Sequence, residues 1–423
     1  MSCKAEIFWI FSNEVFALVQ KKGYKMKTLK TMTTSALLAS CVATSMVGVA
    51  SARISGVELF GHLGVAYNHA LGDNRKGNDG KDVGFMGATG HFGADFGSEE
   101  FGAGLGVWAG SQVFSLSKDA GKRYKYGSEY YDVSDLYFRY TGAFDLYVGR
   151  FSSSFLKSDW IDLYTQGVGL SIGFGKDSNF WAAWANDFTT FGVLPNRIGS
   201  ELMAYTRFPS SFDNFNIGKK DFVGVGANIG LGIFHIDPFA HYYINNYYGS
   251  NQDTIQAGAR LAIIAGDKST VESTTSVRGM YQYNKQNSYL VWAEEELFFA
   301  KYFKLGGGYY MVGKDASIYS NGSDHTRFYG HYTTPSIASY FAAGVSSWYG
   351  FAGVEHERVK FDVLYAGGDY KEFSAVVSVR VLDLKLGIMR EGFGIDVGAG
   401  YVSNGFDSAI QRHNAIAFAK LVF

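Results

Sequence analysis

The closing stretch Asn414-Ala415-Ile416-Ala417-Phe418-Ala419-Lys420-Leu421-Val422-Phe423 decides the reading of the chain. Ala415, Ala417, Ala419, Leu421 and Phe423 take every second position, and successive side chains of a strand point to opposite faces. One face therefore suits hydrocarbon, while the other carries Asn414 and Lys420. Such a run ending on an aromatic residue is expected of the closing strand of an outer-membrane β-barrel. Half-buried strands of soluble sandwiches alternate in the same way, so two further features have to agree.

The first is an export signal. From Met26 the chain reads MKTLK, then the weakly apolar TMTTSALLASCVATSMVGVASA, then Arg53. These are a basic n-region, an h-region and a small-residue site at Ala50-Ser51-Ala52, so 26–52 reads as a signal peptide cleaved after Ala52. Residues 1–25 hold an apolar patch broken by Asn13 and Glu14. They read as an upstream extension from a mis-assigned start, with a long signal sequence as the alternative. Leu38-Ala39-Ser40-Cys41 also has the form of a lipoprotein box, which would anchor Cys41 to lipid; the A-x-A site that follows favours the free terminus. Residues 53–423 are then expected to form a single barrel domain.

The second feature is composition. Both cysteines, Cys3 and Cys41, precede residue 53, so 53–423 has no disulfide framework, thiol nucleophile or cysteine-ligated metal. The chain carries 53 Gly, 29 Tyr and 35 Phe against 4 Pro, and its mean hydropathy is −0.04. No stretch after residue 52 supplies the ~20 consecutive apolar residues of a membrane helix, so a bilayer crossing must be made by strands. Residues 1–52 hold six of the 38 basic and two of the 39 acidic side chains, which leaves −5 on 53–423. That mild charge points to no nucleic-acid partner.

Alternation recurs along the whole length. Val223, Val225, Ala227, Ile229, Leu231 and Ile233 alternate with Gly or Asn. Similar runs start at Phe101, Leu136, Val168, Leu202, Ile255, Val359 and Ala375. Connections alternate too: long polar ones at 68–82, 115–131, 151–162 and 187–201, short ones at 97–100, 141–145 and 175–179. Long external loops paired with short periplasmic turns are the habit of bacterial barrels. In the second half the rule blurs, with short links read at HIDP (235–238), GDKST, NKQNS and GGDYK and a long loop from about 314 to 338. At ~20 residues per strand and connection, 53–423 predicts an all-β antiparallel up-and-down barrel of 18 strands, with 16 as the alternative.

A barrel of that size encloses an aqueous channel, so the expected function is diffusion of small hydrophilic solutes across a bacterial outer membrane. An enzyme is not expected: the nine histidines are scattered, with no HExxH and no GxSxG. No cofactor or metal is expected either. An adhesin is the alternative, with the Ser-, Thr-, Tyr- and Gly-rich tract 314–340 as its contact loop; the same tract suits an ordinary external loop.

Residues 145–174, DLYVGRFSSSFLKSDWIDLYTQGVGLSIGF, carry a family resemblance. The Gly149-Arg150 strand end, the loop holding Asp159-Trp160 and the returning Gln166-Gly167 strand resemble epsilonproteobacterial outer-membrane proteins of the Helicobacter Hof type. They are more distantly similar to the OprD-like porins. The resemblance implies an 18-stranded monomeric porin whose third external loop folds inward, with lumen-facing arginines that guide small carboxylated or amino-acid solutes. The segment 151–162 is the third long loop by count.

Parity supplies the residues. Where Leu136, Phe138 and Tyr140 face lipid, Asp135 and Arg139 face inward, and Arg207, Arg260 and Arg380 oppose apolar neighbours in the same way. Arg150 and Arg278 are read likewise, which with Asp159 and Trp160 completes the pore-lining candidates. A lipid-facing Arg near the midplane costs ~2–4 kcal/mol, so inward placement is expected with or without a solute role. The partners expected are outer-membrane lipid and lipopolysaccharide, the solutes, and the barrel-assembly machinery through the strand ending in Phe423.

Overall fold

The computed structural model describes residues 56–118, 130–161, 164–175, 177–189, 221–244, 253–318, 327–330, 340–385, 387–390, 392–406 and 412–423. Eighteen antiparallel strands follow one another in chain order. They are β1 (Val57–Leu71), β2 (Gly84–Gly97), β3 (Phe101–Ser115), β4 (Tyr130–Thr141), β5 (Asp145–Ser152), β6 (Tyr164–Gly173), β7 (Asn179–Thr189), β8 (Phe222–Leu231) and β9 (Phe234–Tyr243). The second half comprises β10 (Thr254–Gly266), β11 (Val271–Asn284), β12 (Gln286–Phe299), β13 (Phe303–Val312), β14 (Ser346–Glu355), β15 (Val359–Gly368), β16 (Tyr370–Leu384), β17 (Phe393–Phe406) and β18 (Arg412–Val422). Each pairs with the next, and β18 pairs with β1 from His62↔Val422 to Leu71↔His413, which closes the barrel.

Closure answers a physical demand. A strand edge in hydrocarbon leaves N–H and C=O groups without partners, and only a closed sheet removes both edges. The alternation then sorts the faces. Phe138 is 74% exposed, Phe101 62% and Leu231 60%, all on the lipid side. Their neighbours Tyr137 and Asp135 are buried toward the interior. The result is a closed antiparallel barrel with an apolar outer face.

The seam shows why the last residue matters. Phe423 donates its backbone N–H to the Gly61 carbonyl (3.0 Å) and its carbonyl accepts from Gly61 N–H (2.9 Å), while its ring lies 5.9 Å from that of Phe92. A Cβ on Gly61 would sit 2.2 Å from the His91 carbonyl oxygen and 3.0 Å from the Phe423 ring, so only glycine fits. Below Phe423, β1 has outrun β18, and the turn between β16 and β17 takes over its edge. Leu59 N–H donates to the Ile388 carbonyl and Arg390 N–H to the Leu59 carbonyl, each at 2.8 Å. Arg390 also pairs with Glu58 at 2.8 Å.

Two features of the second half depart from the sequence reading. HIDP (235–238) is not a link: β9 runs through it, and the turn is at Gly232, with φ +66. The β8–β9 ladder is interrupted between Gly226↔Phe239 and Ile229↔Ile236, where Pro238 has no N–H to give. The blurred loop rule has a simple cause as well. The external links β11–β12 and β15–β16 shrink to Lys285 and Asp369. Arg53, Cys41 and the segments 1–25 and 26–52 lie outside the described residues.

Candidate functional site

The third external connection leaves β5 through a 3-10 turn, Ser153–Leu156, in which the Ser152 hydroxyl accepts from the Ser154 N–H and Lys157 closes the turn in the left-handed region (φ 55). This reverses the chain into the barrel. The Leu156 carbonyl accepts from Asn179 Nδ2 (3.0 Å) and Asn228 Nδ2 (3.3 Å) on the inner wall of β7 and β8. Phe155 packs on Tyr147 with ring centroids 4.3 Å apart. Trp160 stacks on Phe239 of β9 at 4.4 Å.

Asp159 meets a row of charges on the facing wall. Strand register places Asp237, Arg260, Arg278 and Trp292 opposite one another on β9, β10, β11 and β12. Two arginines thus stand side by side, and like charges directly opposed across strands are destabilising. Asp159 accepts from Arg278 Nε (2.7 Å) and lies 3.8 Å from Arg260 Nη1, which bonds Asp237 at 3.1 Å. The Arg278 guanidinium also lies over the Trp292 ring, 4.6 Å from its centroid. Arg278 is 1% exposed, so the pairing is made away from bulk water. Arg278 Nη1 and Nη2 and Arg260 Nε have no hydrogen-bond partner among the described residues.

A second inward segment was not legible in the sequence. The tract 314–340, read as an external loop, contributes Ile318, Phe328, Tyr329 and Tyr340 to the interior. Arg327 grips Glu294 of β12 through Nε (2.6 Å) and Nη2 (2.8 Å), reaches Glu296 at 2.6 Å, and covers the Phe351 ring at 4.1 Å. The Tyr329 hydroxyl donates to Asp362 (2.6 Å), and the N–H groups of Tyr329 and Gly330 donate to Glu372 (2.8 and 2.9 Å). Leu156, Trp160, Ile161, Ile318, Phe328 and Phe341 belong to one buried apolar cluster, so both inward segments pack into the same core. The residues 319–326 and 331–339 lie outside the described set.

The remaining candidates are dispersed. Asp135 is buried on β4, bonded to His91 Nε2 (2.7 Å) and the Ser134 hydroxyl (2.6 Å). Arg139 stands at the periplasmic rim, with Nη2 on Asp95 at 2.7 Å and on the Ser98 carbonyl at 3.2 Å. Arg380 pairs with Asp396 near the same end. Arg150 departs from the inward reading: it is in register with Leu136, which is 58% exposed on the lipid side. There, at the external end of β5, it bonds Gln166 (2.7 Å), Asp132 (2.9 Å) and the Val133 carbonyl (2.9 Å). Arg207 lies outside the described residues. Among the described candidates, Asp159, Trp160, Arg260 and Arg278 are brought together.

No protein-family model and no curated protein sequence matches the chain. Solved structures do. OccAB3 of Acinetobacter baumannii aligns over 88% of this chain and 100% of its own, with TM-score 0.61 and 11% identity. OccK9 (OpdG) of Pseudomonas aeruginosa aligns over 87% and 98%, with TM-score 0.61 and 11% identity.

The fold is that of the OprD/Occ porins. OpdK of Pseudomonas aeruginosa, solved with vanillate, gives TM-score 0.59 and 12% identity over 86% of this chain and 98% of its own. The Hof-type resemblance has no counterpart among these neighbours.

Proposed function

We propose that the protein is an outer-membrane porin that passes small hydrophilic solutes by passive or weakly selective diffusion through a barrel narrowed by its third external loop. The observation that carries this reading is Asp159, which reaches from that loop to two adjacent wall arginines, Arg260 and Arg278. Eighteen strands enclose more space than wall side chains alone fill, and an inward loop tied to the wall sets the width of what remains. The Arg260 side chain, 16% exposed beside Asp159, offers a positive charge to a solute carboxylate. Vanillate, the molecule solved with OpdK, belongs to that chemical class.

Purified, refolded protein in a planar bilayer is expected to give discrete single-channel openings. Arg260→Glu is expected to move the reversal potential toward cation preference. A closed barrel that conducts nothing favours the adhesin reading instead. The mature chain is proposed to begin at Arg53 and to stand alone in the membrane. Mass measurement of outer-membrane material should find no lipid on Cys41 and no residue before 53; a diacylated Cys41 terminus would overturn the cleavage.

A further inference from the structure

Lys304 and Asp362 stand on strands that are not neighbours, yet their side chains meet. Lys304 of β13 is in register with Gly353 of β14, and Gly353 with Asp362 of β15, all three on the inner face. Strands two apart are separated by ~9–10 Å, but Lys304 Nζ lies 2.7 Å from Asp362 Oδ1. Gly353 makes the meeting possible: a Cβ there would sit 2.4 Å from Asp362 Oδ1 and 2.6 Å from Lys304 Cε. Both side chains are sealed from solvent, at 1% and 2% exposure. The short contact is not aligned as a hydrogen bond, and Asp362 Oδ1 has no hydrogen-bond partner among the described residues.

Two further groups face this pair. Glu355 of β14 accepts from Lys304 Nζ at 2.6 Å, and its side chain is 36% exposed at the periplasmic end of the strand. The Tyr329 hydroxyl donates to the other carboxyl oxygen, Asp362 Oδ2, at 2.6 Å. An amine, a carboxyl carbon, a second carboxylate able to carry protons and a donor on the carboxyl oxygen are the parts that amide formation needs. Holding the partners in contact supplies the effective concentration that free groups in water lack. Two charges buried side by side are costly to keep, and condensation removes both.

We infer that Lys304 and Asp362 condense to an intramolecular isopeptide bond, with Glu355 as the proton carrier. Glu355 takes a proton from the Lys304 ammonium, and the freed Nζ lone pair attacks Asp362 Cγ. The Tyr329 hydroxyl holds the charge that develops on Oδ2. Glu355 returns its proton to Oδ1, then carries a second proton from the nitrogen to the same oxygen. The Cγ–Oδ1 bond breaks and one water leaves past Glu355. One ammonium and one carboxylate thus become a neutral amide and water, with no oxidant or cofactor, and Glu355 ends as the carboxylate it began as. The bond clamps β13 to β15 across β14, where the inward tract rests its Tyr329. It requires only the folded barrel, so it stands or falls independently of conductance.

The test is a tryptic map, read by mass, of the full chain purified from outer membranes and boiled in detergent. Trypsin does not cleave after an acylated lysine, so residues 302–314 should stay whole and appear joined to residues 361–371, lighter than their sum by one water. Fragmentation should place the junction at Lys304 and Asp362. Glu355→Gln, in a barrel shown to be folded by its heat-modifiability, should lower the joined share severalfold, and Asp362→Ala should abolish it. The map of the unaltered chain decides whether the bond exists even where a variant fails to fold. The inference is overturned if that chain yields 305–314 and 361–371 as separate linear peptides, which leaves an ion pair only, or if the joined share is unchanged in Glu355→Gln.

Discussion

Arg260 and Arg278 face each other across neighbouring strands, where two positive charges at ~5.5 Å repel by about 3 kcal/mol at an effective dielectric of ~20. Asp159 offsets this from above and Asp237 from the side. Removing one partner of a buried pair typically costs about 3–5 kcal/mol, because the other charge stays buried. Asp159→Asn is therefore expected to lower the denaturant midpoint by an amount equivalent to roughly 3 kcal/mol, and Arg278→Met in that background to restore most of it. An unchanged midpoint in Asp159→Asn would mean that the loop is not held by this pair. The sequence exposed the faces of these arginines but not their shared level. Alternation fixes which side a residue points to, whereas register across strands depends on turns and bulges. Arg150 shows how alternation misleads at a strand end: it is read inward with the other arginines, and its pairing with Leu136 turns it outward. Arg327 was hidden for a different reason. Its partner Glu294 is distant in sequence, and a polar loop tract carries no sign of burial.

At the scale of elements, the alternating runs that start at Phe101, Leu136, Val168, Val223, Ile255, Val359 and Ala375 all became strands, because burial on one side and lipid on the other leave period two as the stable pattern. HIDP was misread since Pro commonly marks a turn; an interrupted ladder can also accommodate it. The run starting at Leu202 lies outside the described residues. The closing strand carries the clearest consequence. Phe423 is 1% exposed and completes the pairing with Gly61, so a charge there would be buried at the seam. Phe423→Asp is expected to reduce the yield of heat-modifiable barrel severalfold, through an uncompensated buried charge and an open edge. A normal yield would count against closure through this residue.

Across the whole molecule, strand number and closure followed from length and alternation, but the filling of the lumen did not. The segment around Asp159 and the tract around Arg327 enter the barrel and share one apolar cluster with wall residues from Trp181 on β7 to Tyr370 on β16. Their aromatic contacts join parts of the chain far apart in sequence, which no local pattern encodes. The central claim is that this inward third loop sets the width of the path. Its most direct test is single-channel conductance of the barrel lacking residues 153–158, recorded beside the intact chain under the same salt. The account predicts a higher conductance for the shortened loop; an identical conductance in a correctly folded barrel would contradict it.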